Sequence, residues 1–189
     1  MKQDTMELLK LINSANFEHS HMVSQISRLM AKKSGLSSGE RDIVTQAAIY
    51  HDVGKSIIPQ SILNKPGFLT PAEFAIVKTH TDAGYKQITD AIQTLTIAAL
   101  IARDHHERQD GFGYYQMSGK EIHPYAKLVA VADVFDALYS RRAYKEPWSV
   151  ERIRDHFIEQ TGKQFDGQMV ELLFSILDEV LSLYQKKEA

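Results

Sequence analysis

The chain has 189 residues, 43% of them hydrophobic, with a formal net charge of -2. That length suits one domain around one sizeable core, and the lack of a basic excess argues against a nucleic-acid polymer as partner. The absence of cysteine excludes disulfides, thiolate metal sites and cysteine nucleophiles.

Residues 1–15 read as an N-terminal extension or linker remnant ahead of one domain over 16–189. Met1–Lys10 carries Asp4 and Glu7 and has no apolar signal core. Val23, Ile26, Leu29 and Met30 recur at helical spacing, with Gly35 as the stop. Ser37 and Glu40 have capping-box spacing ahead of Ile43, Val44, Ala47 and Ala48, in a helix that delivers the adjacent pair His51-Asp52 at its end. Gly54–Pro71, with Pro59, Pro66 and Gly67, reads as a long loop. Thr70-Pro71-Ala72-Glu73 combines an N-cap, a first-turn proline and a returning glutamate, and opens a helix toward His80. An apolar segment, Leu95–Ile101, leads to His105-His106. A second long loop, Glu107–Pro124, holds Gly111, Gly113 and Gly119. Pro124 then opens a helix over Ala126–Tyr139 that carries Asp133. Amphipathic helices over Val150–Gln160 and Gln168–Tyr184 complete the chain. The last is interrupted by Glu171, Asp178 and Glu179, which makes it a poor membrane span. No alternating strand pattern occurs, so the expected fold is all-α, a single helical bundle, with no membrane association and a cytoplasmic location.

Chemistry concentrates in His19, His51, Asp52, His80, His105, His106 and Asp133. Imidazole and carboxylate are ligands for divalent cations, and this many suffice for two ions with positions left open. Any one histidine, taken alone, is more often an ordinary core or surface residue. Together, each falls at or near the end of an expected helix, where side chains from different helices converge. Asp133 lies in Leu128-Val129-Ala130-Val131-Ala132, where a carboxylate without a partner would be costly. His105 and His106, consecutive on one helix, would point about 100° apart and so straddle the site. Asp136, one turn past Asp133, reads equally as a water- or substrate-orienting group and as a cap or salt-bridge partner. His21, His123 and His156 read as structural or surface residues.

At this point the chain resembles the HD domain superfamily of metal-dependent phosphohydrolases, and within it the HD-GYP branch, which hydrolyses cyclic di-GMP. The blocks that carry the resemblance are His19-Ser20, His51-Asp52-Val53-Gly54-Lys55, Ile62 to Leu69, His80 with Gly84, His105 to Tyr114, Ala132 to Leu138, and Arg142-Ala143-Tyr144-Lys145. The resemblance implies an HD-type bundle in which the seven ligands hold two divalent ions, iron or manganese first and nickel or zinc next, with Asp52 bridging. It implies that Lys55, Arg142 and Lys145 contact substrate phosphates, that Gly111 and Tyr114 border the substrate, and that Asp52, Lys55 and Asp136 serve catalysis. The expected substrate is cyclic di-GMP, opened to the linear dinucleotide and onward to GMP. The alternatives are another HD-type nucleotide phosphohydrolase or a degenerate cyclic-dinucleotide-binding or signalling module.

Three positions depart from the pattern. Tyr115 stands where the signature has proline, Ala143 where the Arg-Pro-Tyr-Lys block has it, and Ala15 where some members have a glutamate that helps hold a third metal. A two-metal centre is therefore favoured. Without proline, residues 111–118 are expected to be mobile, with Tyr115 turned to solvent and available to a signalling partner.

Overall fold

The computed structural model describes residues 8–11, 14–91, 96–141 and 146–188, so Arg142, Ala143 and Lys145 lie outside the described residues, as does the side chain of Ala15. Helix α1 covers Ser14–Lys33. It ends in a left-handed Gly35, whose N–H and that of Leu36 bond back to the carbonyls of Lys32 and Ala31. This is the Schellman closure that glycine favours. Helix α2, Ser38–Ile49, starts with the reciprocal Ser37–Glu40 box, and α4, Pro71–Lys78, with the Thr70–Glu73 box. Both starts fall where the sequence puts them, because each needs only a hydroxyl and a glutamate three residues apart.

The first long segment is less irregular than its prolines suggest. Val53–Ile57 winds as a 3-10 turn, and α3, Gln60–Leu63, follows with Pro59 at its N-cap. Next come α5, His80–Ala91, and α6, Thr96–Asp104. Then α7 covers Pro124–Tyr139 and α8 covers Val150–Gln160. The expected helix over 168–184 is two: α9, Gly167–Phe174, and α10, Leu177–Glu188. The break falls at Ser175, whose hydroxyl donates to the Leu172 carbonyl and so competes with the helical ladder.

Among the described residues only an isolated bridge, Thr161 to Phe165, has extended pairing, and the fold is all-α. α1 packs against α2 and α7, α2 against α6, and α5 against α6 and the 3-10 turn. Ile26, Met30, Ile101, Phe135, Phe157, Phe165 and Leu173 are fully buried between them, each contributing about 1.5–3 kcal/mol of burial. Leu8 is buried in the same core.

Gly54 fixes how the 3-10 turn meets α5. A Cβ there would lie 1.9 Å from the His80 carbonyl oxygen and 2.4 Å from the Gly84 nitrogen. Only glycine lets the two backbones touch, and that contact sets His51-Asp52 against His80.

Candidate metal centre

α2 ends two residues before His51, with Tyr50 as its C-cap, and the chain turns so that His51 and Asp52 face inward; both are buried. His80 opens α5 after a break at Thr79, and it is fully buried. α6 stops at Asp104, so His105 and His106 occupy the turn that follows it. The helical spacing of 100° therefore does not apply to them. Their rings lie 4.0 Å apart, tilted by 43°, on the same side. His19 comes from α1 and Asp133 from α7, and His19 Nε2 lies 2.9 Å from Asp133 Oδ1.

The ring nitrogens are sorted by their backbone bonds. His51 Nδ1 donates to the Ala48 carbonyl (2.7 Å), His80 Nδ1 to that of Val77 (2.6 Å), and His105 Nδ1 to those of Ala102 and Ile101 (3.0 and 3.1 Å). A carbonyl only accepts, so in each neutral ring the proton sits on Nδ1 and the lone pair on Nε2. Those three Nε2 atoms and Asp52 Oδ1 are buried and have no hydrogen-bond partner. They face one another: Asp52 Oδ1 is 3.3 Å from His80 Nε2 and 3.6 Å from His105 Nε2, and Asp52 Oδ2 is 3.3 Å from His51 Nε2. Buried acceptors left unpaired are costly, and a cation at their focus removes that cost.

The donor atoms form two groups. Asp52, His80, His105 and His106 make one, and His19, His51 and Asp133 make the other; within each the ligand atoms lie within 4.8 Å of one another. Nitrogen and carboxylate donors of this kind fit a borderline divalent metal such as iron, manganese, nickel or zinc. Asp52 turns one oxygen toward each group.

Electrostatics follow from the burial. Although burial favours the neutral ring, hydrogen bonds to Asp133 and Asp136 push His19 up to about 9. The Asp52 carboxyl is held well below the usual carboxylate range: burial opposes this, but Lys55 and His51 outweigh it. Asp133 is likewise lowered against burial, by His19. Burial lowers His105, and lowers His106 further with the help of the His105 charge.

Lys55 bonds to Asp52 Oδ2 and is 24% exposed in its side chain, at the edge of the site. Tyr114 lies over His106, centroids 4.7 Å apart, and is flanked by Phe74 at 5.9 Å, the Lys78 ammonium at 5.0 Å and, edge-on, His80 at 6.3 Å. Burial, then the charges of Asp52 and Asp133, push its phenol up to about 12. Gly111 closes a turn with Arg108, beside the Arg108–Asp110 ion pair.

Asp136 is not turned to the open side. It is buried behind His19, accepting from Nδ1–H at 2.6 Å on Oδ2, while Oδ1 accepts from Ser140 (2.7 Å) and from the Tyr184 hydroxyl (2.8 Å). Its geometry is that of a group that orients an imidazole.

The 111–118 segment is tied down by hydrogen bonds, while Tyr115 is exposed as expected. Glu107 is buried, and its two carboxylate oxygens accept from the backbone N–H groups of Tyr115 (2.7 Å) and Met117 (3.0 Å). Gly113 packs onto it so closely that a Cβ would lie 2.6 Å from Glu107 Oε2. Tyr115 is 39% exposed, with its hydroxyl 2.7 Å from that of Thr81. Glu107, Ser140 and Tyr184 went unread in the sequence. Only Glu107 left a trace, as an acid between a histidine pair and a glycine-rich loop.

The other histidines do structural work. His123 caps α7, its Nδ1 accepting from the Tyr125 N–H. His156 packs edge-on to Trp148 and Phe157, and exposed His21 stacks on Phe17.

The profile of the HD domain family matches residues 5–169. A 3'3'-cGAMP-specific phosphodiesterase of Vibrio cholerae is 39% identical over 87% of this chain and 32% of its own length. The cyclic di-GMP phosphodiesterase response regulator RpfG of Xanthomonas campestris is 42% identical over 80% of this chain and 40% of its own. A cyclic di-GMP phosphodiesterase of Thermotoga maritima is 35% identical over 98% and 52%. The chain thus spans about a third to a half of these relatives. Among solved structures, an HDG"Y"P protein from Bdellovibrio bacteriovorus superposes with a TM-score of 0.71 at 24% identity, over 88% of this chain and 55% of that one. The HD domain of a Listeria monocytogenes phosphodiesterase, solved with cyclic-di-AMP, gives 0.64 at 21% identity, over 94% and 95%. At these identities the likeness is one of fold.

Proposed function

This chain belongs to the HD domain family, and we propose on that footing that it is a metal-dependent phosphodiesterase that opens a cyclic dinucleotide. The observation that carries the reading is the set of buried, partnerless acceptors, Nε2 of His51, His80 and His105 with Asp52 Oδ1, gathered at one point. Divalent metal held there supplies Lewis acidity toward a phosphoryl oxygen. His19, His51 and Asp133 would hold one ion and His80, His105 and His106 a second, with Asp52 a ligand available to both.

The chain's own residues do the rest. The Nδ1 bonds of His51, His80 and His105 to backbone carbonyls hold the rings in the binding tautomer. Lys55, at the edge and beside Asp52, is placed to meet a phosphate oxygen and to offset the charge that grows as the bond breaks. Arg142 and Lys145 join it in this reading by resemblance. The Tyr114 ring, flanked by Phe74 and Lys78, offers a face on which a base can lie. A protein partner on the 111–118 segment is not part of the reading, since Tyr115 is engaged with Thr81.

Cyclic di-GMP is the first substrate, supported by relatives named for it, and 3'3'-cGAMP the second, supported by the Vibrio relative. The test is reconstitution with iron or manganese, elemental analysis, and chromatography of products from both dinucleotides. We expect near two equivalents of metal, loss of both in Asp52→Ala, and the linear dinucleotide, then GMP, from cyclic di-GMP. Tight binding without turnover by the loaded protein would leave a binding module instead.

A further inference from the structure

The carboxylate behind His19 is itself held from outside the HD profile. Asp136 Oδ2 accepts from His19 Nδ1–H, and Asp136 Oδ1 accepts from the Tyr184 hydroxyl at 2.8 Å. Tyr184 is on α10, beyond the last profile residue at 169. We propose that Tyr184 is a positioning residue for the metal ligand His19, so that docking of α10 sets the affinity of the His19–His51–Asp133 group while leaving the other donor group untouched. The inference rests on the metal-site reading above.

The arrangement is stiff at every step. Val180, one turn earlier on α10, is fully buried, and the Tyr184 ring packs edge-on to Tyr139 at 4.7 Å and near Phe135 at 6.5 Å. Both aromatic neighbours sit on α7, the helix that carries Asp133 and Asp136. The ring therefore has a fixed seat, and its hydroxyl has a fixed target. Burial and the Asp136 charge both disfavour ionisation of the phenol, so it remains a donor. The Ser140 hydroxyl shares the same oxygen at 2.7 Å. With two hydroxyls on Oδ1, Oδ2 is left for His19, and the ring is turned so that Nε2 faces Asp133 at 2.9 Å. Partners behind a metal-binding histidine commonly set its affinity by about 10- to 100-fold. The other group shares Asp52 with this one but has no contact with Asp136. His80 and His105 are set by the carbonyls of Val77, Ile101 and Ala102.

Tyr184→Phe removes one oxygen and keeps the ring. Metal release from the loaded protein is followed against a competing chelator, with His19→Ala and His80→Ala identifying which phase belongs to which group. We expect the phase absent in His19→Ala to weaken about 10-fold in Tyr184→Phe, the other phase to stay as in the parent, and the metal-free protein to keep a cooperative melt. A nitrogen-15 spectrum of the metal-free protein should show the His19 Nδ1 signal displaced while those of His51, His80 and His105 hold. Replacement of Tyr184 by 4-aminophenylalanine, which keeps a donor in place, should restore the parent affinity. If both phases match the parent, or both weaken alike, the proposal is overturned. If the parent itself takes up no metal, the metal-site reading fails instead. Should Tyr184→Phe not melt cooperatively, Tyr184→Met, also without a donor, takes its place with the same outcomes.

Discussion

His19 touches two carboxylates, at 2.6 and 2.9 Å, and that makes the metal-free protein sensitive to pH in a definite direction. Its folded value is about 9 against 6.5 for a free imidazole, so its stabilising contribution is complete below 6.5 and is lost as pH rises through about 9. Asp133 is depressed by the same contact, so its contribution is present above 3.8 and is lost only as pH falls below that. His105 and His106 act in the opposite sense to His19. They are buried neutral, and below 6.5 the unfolded chain gains from protonating them. The stripped protein should therefore melt highest near pH 6.5 and lower on both sides. His19→Gln should flatten the alkaline limb; a parent melting temperature that keeps rising through pH 9 would contradict the ion pair. The pairing itself could not be read from sequence, since its partners sit more than a hundred positions apart. The residue types could: His51-Asp52 and His105-His106 stand out only together with His19, His80 and Asp133, because each falls at or near the end of an expected helix.

At the scale of elements, two contacts decide whether the ligands arrive in place. Gly54 lets the 3-10 turn touch α5 backbone to backbone, and a methyl group would meet the His80 carbonyl at 1.9 Å. Gly54→Ala should cost more than about 3 kcal/mol by overpacking and impair metal uptake together with stability, as read by denaturant titration and elemental analysis. A change under about 0.5 kcal/mol would show that the turn slides aside freely. Glu107 ties the 111–118 segment with both oxygens. Glu107→Gln turns an amide NH2 toward a backbone N–H, which should cost about 1–3 kcal/mol and expose that segment to protease. Cleavage at the parent rate would mean that the loop is held by something else. The caps at Ser37 and Thr70 and the first-turn proline at Pro124 were legible because they are local. The break at Ser175 was not, because the apolar pattern runs through it and only the side chain's bond to Leu172 marks the joint.

For the whole molecule, the all-α bundle was legible from helical periodicity and the lack of strand patterns, and the family from motif order. Long range defeated the rest: no local pattern announces that α10 would lie behind Asp136 and His19, or that a glutamate would sit under a loop. The His19–Asp133 contact spans 114 positions of chain, and it joins the first helix of the bundle to the one that carries Asp136. In topological terms it closes a large loop, and a cation seated there would act as a removable cross-link between distant parts of the fold. Such a link, present in the native state and absent in the unfolded one, adds about 2.7 kcal/mol when metal is at a hundred times its dissociation constant. Deep amides that exchange only by global opening should then slow by about a hundredfold on metal addition. They should do so in step in α1 and α7, despite their separation, while the solvent-facing turn at Gly162 exchanges at its old rate. Slowing confined to one of the two helices would show that the cation does not join them.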